Sequence, residues 1–259
     1  MIKALFLLFA LASYGLGFLA LLALAGFLLN LGPWGIDTGA PGDGLAAIAA
    51  NTLLLFGYFG LHSVMARPGF KRRWTRILPP ALERSTYVLV AGLTLLLVLT
   101  TWTPLPYSLW QLEGDSARTF VYALHSLGWV VMVAATFHIN HFEFFGLRQV
   151  WRHLRSLPPT EVPFSARFLY GLARHPISLG WMIVFWAAPD MSLGHLLMAA
   201  IATGYILVIT PVEEADLERQ VGPIYRDYRA RVPAFVPRLR RARPERIRNR
   251  KSLVNCPDR

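Results

Sequence analysis

Long apolar runs, separated by short polar or charged stretches, occupy most of the chain up to about position 210. A helix needs roughly 20 apolar residues to cross the hydrocarbon core of a bilayer, because each residue rises about 1.5 Å and the core is about 30 Å thick. Four runs have that length, so we expect four full membrane-spanning helices. They are residues 4–29, 45–65, 86–103 and 119–139.

The last apolar region is divided in two. Its first part, 177–189, has only 13 residues before the turn-like pair Pro189-Asp190, whereas the second part, 192–210, is nearly of full length. This pattern predicts a tight helical hairpin whose first arm is short, tilted or buried in protein. The expected fold class is an all-α polytopic integral membrane protein with five to six transmembrane helices, including this C-terminal hairpin.

The first apolar run begins after Lys3 and contains Ala-Leu-Ala at 23–25, features also found in secretory signal peptides. The apolar core of a signal peptide is usually about 7 to 15 residues long, and the run here is about twice that length. We therefore interpret it as a retained span.

Two segments outside the spans are predicted to be cytoplasmic amphipathic helices. In 141–157, apolar side chains recur at helical spacing opposite arginines, as in a helix that lies in the membrane interface or forms a lid over a cavity. After position 213, a charged helix breaks at a Gly-Pro pair and resumes toward two tyrosines. We assign 1–237 to one membrane domain and 238–259 to a polybasic cytoplasmic tail. In the first segment the apolar residues are Phe144, Leu147, Trp151 and Leu154, and the opposing arginines are Arg148, Arg152 and Arg155. In the second segment the break is Gly222-Pro223, and the tyrosines are Tyr225 and Tyr228.

Positive charge is concentrated in alternate connections. Of the 26 Lys and Arg residues, one is Lys3, six lie in 67–84, five in 148–174 and 13 from 219 onward, and only Arg118 lies in the other loops. Short loops rich in Lys and Arg stay inside the cell, so the N-terminus, the second and fourth connections and the tail are predicted to be cytoplasmic. The net charge of +11 favours anionic membrane lipids as partners over nucleic acid.

Polar side chains at membrane depth are costly, so a functional explanation is the usual one when they face the bundle interior. Here the candidates gather at the cytoplasmic face. A His/Glu pair beside a buried cavity can hold or move a proton, which makes His141 and Glu143 candidate catalytic residues, with His62 as the next. His62 could equally bond a backbone carbonyl in the bundle. The full set is His62, Ser63, His138, Asn140, His141, Glu143, Arg174, His175, Glu213 and Glu214.

A metal site is the alternative explanation for histidines near a carboxylate. The chain has no HExxH motif, and its single cysteine, Cys256, lies in the polar tail. His138 and His141, three residues apart, are not a zinc signature by themselves. We therefore expect no metal.

The stretch LARHPISLG, residues 172–180, places two polar side chains at the mouth of the hairpin. Pro176 suits the first position of a helix, whose unpaired N–H groups and positive dipole end suit a carboxylate or phosphate beside Arg174 and His175. Glu214 offers an acceptor for ribose hydroxyls, and the two tyrosines offer ring faces to a base or a cation. S-adenosylmethionine is a ligand with all of these groups.

The C-terminal motifs resemble those of the isoprenylcysteine carboxyl methyltransferase superfamily of membrane methyltransferases. RHPISLG is followed, about thirty residues later, by EEADLERQVGPIYRDYRARVP, which contains a Glu-Glu pair and Gly-x-x-Tyr-x-x-Tyr before a proline. HSVMARPGFKRRWT, ERSTYV and INHFEFFGLRQVW are similar to segments of the bacterial methanethiol S-methyltransferases, near relatives of the NnrU-type proteins. The resemblance covers most of residues 50–237.

This resemblance implies methyl transfer from S-adenosylmethionine to methanethiol, giving dimethyl sulfide, in the bacterial inner membrane. Two positions differ from the family pattern: Ser178 stands where an aromatic residue is frequent, and Glu143 where aspartate is expected. The implied cofactor-binding residues are Arg174, His175, Pro176, Ile177, Glu214, Leu217, Tyr225 and Tyr228.

The nucleophile in such a transfer is a thiolate, so proton removal and alignment are the tasks of the protein. We expect the thiol to enter from the bilayer into a pocket closed by the second and fourth spans, where His141 acts as base and Glu143 orients it.

Other interpretations stay open. The acceptor could be another thiol or a lipid-borne group, because acceptor choice depends on pocket volume. A membrane reductase of the sterol type, which binds NADPH, is disfavoured by Glu213, Glu214 and Leu217 at its last motif. A haem-binding or transport subunit would use His62, His138 and His141.

Overall fold

The structure, a computed structural model, describes residues 2–158, 164 and 166–237, so the polybasic tail lies outside the described residues. Most of this part of the chain is helical. Two short strands, β1 (Ser108–Gln111) and β2 (Asp190–Ser192), pair antiparallel. In chain order the helices are α1 (Ile2–Leu28), α2 (Gly44–Ala66), α3 (Pro68–Trp74), a 3₁₀ turn (Pro80–Leu82), α4 (Glu83–Thr101), α5 (Asp115–His138), α6 (His141–Phe144), α7 (Leu147–Leu154), α8 (Leu169–Leu172), α9 (Pro176–Trp186), α10 (Leu193–Val221) and α11 (Pro223–Arg231).

Five helices of the described chain are long and apolar enough to cross a membrane, namely α1, α2, α4 with the preceding turn, α5 and α10. Helix α9 is a shorter apolar helix of 11 residues. The predicted all-α polytopic membrane fold is confirmed. The last apolar run, 192–210, and the charged helix predicted after it form one continuous helix, because α10 continues through Pro211 to Val221. The residues after Pro211 are polar, but most are good helix formers, so the helix outlasts the apolar run.

The long helices pack side by side in the order α5, α9, α10, α2, α4 and α1. Two of these contacts are close because glycines face each other. A Cβ atom on Gly128 of α5 would lie 2.8 Å from the carbonyl oxygen of Gly180 of α9, and one on Gly92 of α4 would lie 3.1 Å from the Cα atom of Gly17 of α1. Small residues allow helix backbones in membranes to approach in this way. The short arm α9 is thereby held along α5.

The end of the bundle away from the basic connections is fixed by contacts to its loops. Buried Asn51 of α2 donates to the Thr103 carbonyl at 2.8 Å and accepts from the Thr103 amide at 3.0 Å. Arg118 donates to both carboxylate oxygens of Asp190, at 2.7 and 2.6 Å, next to the β1–β2 ladder. The hydrophobic pattern does not predict this strand pairing.

Segment 141–157 is not the single amphipathic helix that its spacing predicts. It forms α6 and α7, which are separated at Gly146, where φ is 90°, a conformation that favours glycine. A Cβ atom there would also lie 2.7 Å from the amide nitrogen of Ser85, so the break allows α4 to come close. The buried face of α7 is centred on Val150, which packs near α1, while Trp151 is exposed.

Candidate active site

The Arg-His-Pro sequence before α9 is held in place by the end of the described chain. Pro176 is the first residue of α9, and His175 precedes it in a non-helical conformation. The amide groups of Arg174 and His175 donate to the carbonyl oxygens of Pro233 and Ala234, both at 2.9 Å. The segment after α11 therefore returns to the mouth of the hairpin and fixes both polar residues by their backbone.

Glu214 of α10 lies at the centre of a buried ionic cluster. Its side chain is 3% exposed. Oε1 accepts from Arg174 Nε at 2.7 Å and lies 3.0 Å from His175 Nε2, while Oε2 lies 3.1 Å from Arg229 Nε. One carboxylate thus joins the mouth of α9, helix α10 and helix α11.

Arg229 is the member of this cluster that sequence reasoning missed. It follows Tyr228 directly and comes four residues after Tyr225 on α11. Residues three and four apart share one side of a helix, and that spacing is the signal that could have identified Arg229 once the tyrosines were assigned to the site. Glu218 also lies 3.6 Å from the Arg229 guanidinium, so Arg229 bridges two carboxylates on α10.

One hydrogen-bond donor of the ionic cluster, on Arg174, is left for a ligand. Arg174 uses Nε for Glu214 and Nη1 for the backbone carbonyls of Arg229 and Val232. Its Nη2 makes no hydrogen bond to any residue that the structure describes. A guanidinium stays charged at any working pH and suits planar carboxylates, so Arg174 can receive a ligand carboxylate without leaving Glu214.

Tyr225 and Tyr228 are almost wholly buried, with exposures of 1% and 4%. The Tyr228 hydroxyl donates to the Tyr170 carbonyl at 2.6 Å, whereas the Tyr225 hydroxyl has no hydrogen-bond partner among the described residues. Burial, reinforced by the charge of Glu214, raises the pKa of Tyr225 to about 12. Phe164 packs edge-on against both tyrosines, with ring centroids 5.8 and 5.1 Å apart. The site therefore contains one buried, neutral hydroxyl that is available to a ligand.

The remaining predicted cofactor residues lie around this cluster. Pro176 is buried, and Ile177 packs against the main apolar core. Leu217 is half-buried on α10, three residues after Glu214. Glu213 is half-exposed, and its Oε2 lies 4.0 Å from His175 Nδ1. The predicted positions are thus found at the junction of α9, α10 and α11, and their contact with a cofactor stays a prediction.

His141, the first residue of α6, uses both ring nitrogens within the protein. Nε2 lies 3.0 Å from the Tyr14 hydroxyl, and Nδ1 lies 2.8 Å from Thr136 Oγ1. Because Thr136 donates its own proton to the Val133 carbonyl at 2.7 Å, it accepts from Nδ1–H, and Tyr14 then donates to Nε2. Burial lowers the pKa of His141. The lone pair that a base would need is already engaged by Tyr14.

Glu143 has a different partner from the predicted one. Asn140 precedes α6 in a left-handed conformation with φ of 79°, and its side-chain oxygen accepts from the Glu143 amide at 3.2 Å. Oε2 of Glu143 lies 3.1 Å from Nη1 of Arg148. Within the described residues no hydrogen bond joins Glu143 to His141. The geometry therefore assigns Glu143 to an ion pair with Arg148 and not to the orientation of His141.

His62, near the end of α2, has an unused ring nitrogen. Its Nε2 lies 2.6 Å from the Tyr87 hydroxyl of α4, whereas its Nδ1 is buried and has no partner in the described part of the chain. Arg84 lies 4.9 Å from the Tyr87 ring centroid and donates to the Phe144 carbonyl at 2.6 Å. Buried polar atoms are normally paired, so this nitrogen marks a place where a proton or a ligand can be received.

The helices beside His62 differ from those predicted. Helix α2 packs against α4 and α10, whereas α5 packs against α9. Next to His62, the Ser63 hydroxyl lies 2.8 Å from that of Tyr205, whose ring stacks on Phe59 with centroids 4.3 Å apart. His62 is therefore flanked by α4 and α10, and an acceptor pocket between the second and fourth spans stays a prediction.

The three histidines considered for a haem site have different neighbours. His62 bonds Tyr87, His141 bonds Tyr14, and His138 stacks on Phe168 with ring centroids 4.8 Å apart. Among the residues that the structure describes, no group of three or more His, Cys, Asp or Glu side chains is arranged to hold a metal ion.

Comparison with proteins of known function finds relatives over most of the chain. A methanethiol S-methyltransferase of Mycobacterium tuberculosis is 50% identical over 191 residues, which are 74% of this chain and 78% of the relative. Methanethiol S-methyltransferase 2 of Bradyrhizobium diazoefficiens is 44% identical over 234 residues, 90% of each chain. Human nurim is more distant, at 30% identity over 67% of this chain and 69% of its own. No protein-family profile and no solved structure matches the chain.

Together with these relatives, the multi-pass helical fold and the ionic cluster at the hairpin mouth define a membrane-bound methyltransferase. Such an enzyme requires a methyl donor. The chain belongs to the methanethiol S-methyltransferase family, so the family and the enzyme class that the motifs implied are confirmed.

Proposed function

We propose that this enzyme transfers the methyl group of S-adenosylmethionine to methanethiol, releasing dimethyl sulfide and S-adenosylhomocysteine. The observation that carries the proposal is the ionic cluster of Arg174, His175, Glu214 and Arg229 at the mouth of α9. It occurs in a chain 44% identical over 90% of its length to a relative named for that acceptor.

The site belongs on the cytoplasmic side of a bacterial inner membrane. Lys3 at the start of α1 donates to Ser156 after α7 at 2.7 Å, so the amino terminus and the fourth connection lie at one end of the bundle. The basic residues of the chain are concentrated in these same connections, as expected for the cytoplasmic face.

The residues of the cluster fit S-adenosylmethionine. Arg174 can bind the carboxylate through Nη2, and half-exposed Glu213 offers a negative charge to the amino group. The buried Tyr225 hydroxyl offers a hydrogen bond to the ribose or the amino acid part. When bound, the cofactor supplies an electrophilic methyl group on a sulfonium sulfur.

We infer that His62, and not His141, receives the thiol proton. In the tautomer whose Nε2–H donates to the Tyr87 hydroxyl, Nδ1 of His62 is an unprotonated acceptor. Tyr87 also keeps that bond when the ring becomes charged, which orients the base throughout the reaction. His141, with Tyr14 on Nε2 and Thr136 on Nδ1, is a positioning residue that joins α6 to α1 and α5.

The reaction balances with these groups. The thiol proton passes to Nδ1 of His62, and the thiolate sulfur bonds to the methyl carbon as the sulfonium–methyl bond breaks. The electron pair of that bond stays on the departing sulfide. Small alkyl thiols carry little thiolate at neutral pH, because even the cysteine thiol has a pKa near 8.5, so proton removal is the main task of the protein.

Headspace analysis tests the acceptor directly. Purified protein mixed with S-adenosylmethionine and methanethiol is expected to release dimethyl sulfide, while hydrogen sulfide and ethanethiol in parallel vials measure how strictly the pocket selects. If S-adenosylmethionine binds calorimetrically but methanethiol gives no dimethyl sulfide, the cofactor assignment stands and the acceptor is wrong. If the cofactor does not bind, the proposed function fails as a whole.

A pair of histidine variants tests the base. His62→Ala is expected to lower kcat at least a hundredfold, within the usual contribution of general base catalysis, with unchanged cofactor affinity. His141→Ala is the matched control and is expected to retain more turnover. Equal turnover of His62→Ala and the parent would remove His62 from the mechanism. Tyr87→Phe, which keeps the ring and removes the bond to His62, is expected to give an intermediate loss.

A further inference from the structure

A groove lined by arginines lies where α2 ends and α3 begins. Its volume is about 470 Å³. Arg67 starts the turn between the two helices, and the other basic residues come from α3 and the turn after it. The lining residues are Val64, Arg67, Gly69, Phe70, Arg72, Arg73 and Arg76.

Most of this positive charge is not neutralised by the described protein. Arg67 pairs with Asp216 at 2.9 Å, but Arg72, Arg73 and Arg76 form no ion pair with any described acidic residue. Lys71 lies between these arginines in sequence, and its Nζ is 3.9 Å from Oε1 of Glu83. Like charges held this closely repel one another, so an anion in the groove would stabilise the arrangement.

The spacing of the arginines lets several guanidinium groups face one anion in the groove. Gly69, Arg72, Arg73 and Arg76 are spaced three, four and seven residues apart, which places them on one side of a helical path. Gly69 leaves the surface open, since a Cβ atom there would lie 3.9 Å from Nη2 of Arg72. Guanidinium groups bind phosphate oxygens through paired N–H groups.

The surroundings of the groove favour a lipid over a soluble anion. Val64 lines the groove and is 53% exposed, Leu61 one turn earlier on α2 is 40% exposed, and Ile77 next to Arg76 is 84% exposed. In a membrane-spanning helix, exposed apolar residues such as Val64 and Leu61 face acyl chains. The groove is therefore continuous with the acyl-chain surface on one side and cationic on the other.

We propose that this groove binds the phosphate-bearing headgroup of one anionic phospholipid, with an acyl chain along the exposed face of α2. Arg72, Arg73 and Arg76 hold the phosphate, and Val64 contacts the first methylenes of the chain. Because Arg67 joins the groove to Asp216 on α10, a bound lipid also steadies the helix that carries Glu214. Lipid binding at this groove does not require the cofactor.

Native mass spectrometry of the full chain in uncharged detergent tests this site. The probe is dioleoyl phosphatidylglycerol, and dioleoyl phosphatidylcholine, whose zwitterionic headgroup has a phosphate but no net charge, is the comparison. The parent is expected to retain one phosphatidylglycerol selectively, and the triple variant Arg72→Gln, Arg73→Gln, Arg76→Gln is expected to bind it at least tenfold more weakly. A tail variant with the same loss of charge, Arg246→Gln, Arg248→Gln, Arg250→Gln, is the matched control and is expected to bind as the parent does.

Each outcome decides the proposal. A triple variant that binds less than tenfold more weakly than the parent overturns it, as does an equal loss in the tail variant, which would mean attraction by overall charge. Displacement of the lipid by equimolar sn-glycerol 3-phosphate would identify a soluble-anion site instead. The double variant Arg72→Gln, Arg76→Gln covers the case in which the triple variant does not fold, and a circular-dichroism spectrum equal to that of the parent confirms that the tested variant is folded.

Discussion

Replacing Glu214 by glutamine removes the one charge on which three basic side chains converge. Glu214→Gln keeps the volume and one oxygen but leaves Arg174, 11% exposed, without its main counter-charge. Removing one partner of a buried ion pair costs about 3–5 kcal/mol. Arg229 is 48% exposed and adds little, because exposed pairs contribute only about 0–1 kcal/mol. The expected loss of unfolding free energy is therefore near the lower limit, about 3 kcal/mol.

The measurement is the apparent Tm of the purified protein in detergent, together with calorimetric binding of S-adenosylmethionine. A loss of about 3 kcal/mol corresponds to a decrease in Tm of roughly 6–12 °C for a chain of this size. Glu213→Gln is the matched control, because the neighbouring carboxylate is 41% exposed and lies 4.0 Å from His175. The Tm of that control is expected to change by less than about 2 °C. If both variants unfold at the same temperature, Glu214 is not the centre of the cluster.

Three further predictions follow from contacts described above. Tyr225→Phe is expected to raise the Tm of the ligand-free protein by a few degrees, because an unpaired buried hydroxyl costs about 1–3 kcal/mol, and to weaken S-adenosylmethionine binding by about tenfold or more; weaker binding with a lower Tm would contradict this. Gly180→Val is expected to destabilise by about 1–3 kcal/mol or more through overpacking, since its Cβ would lie 2.7 Å from the Gly128 carbonyl oxygen, whereas Gly204→Val, with nothing within 4 Å, serves as control for Tm. Burial lowers the pKa of folded His141, so as the pH falls through about 6.5 the unfolded chain takes up the proton first. The stability that neutral His141 contributes is then complete above that pH and is lost below it. The Tm difference between the parent and His141→Gln should therefore decrease from about pH 7.5 to about pH 5.5, and a constant difference would show that His141 does not titrate on unfolding.

The membrane helices were predictable because bilayer thickness sets the length of an apolar run. The sequence predicted the last apolar run and the charged helix after it, but not that the two are one continuous helix through Pro211, because a proline inside a helix removes a hydrogen bond and usually kinks or breaks it. The β1–β2 ladder was not predicted, because its strands are only four and three residues long and come from distant parts of the chain.

The candidate site was predictable where it depends on one short motif and not where distant segments meet. Arg174, His175 and Glu214 were identified from residue type and position, and the structure brings them together. Arg229 was missed because its pairing depends on how α11 folds back on α10. The pairing of His141 with Glu143 was inferred from separation in sequence, but the left-handed turn at Asn140 directs the two side chains to different helices.

The backbone bonds from Arg174 and His175 to Pro233 and Ala234 have a consequence for the order in which the protein is made. Every apolar helix found in the described residues is synthesised before position 233, so these helices can be inserted into the membrane while the hairpin mouth still lacks both acceptors. A chain that stops just before Pro233 would have all its spans and an unfinished site. We therefore expect activity to appear only once Pro233 and Ala234 have left the ribosome, and chains that end before these residues to be inactive even when they are correctly inserted.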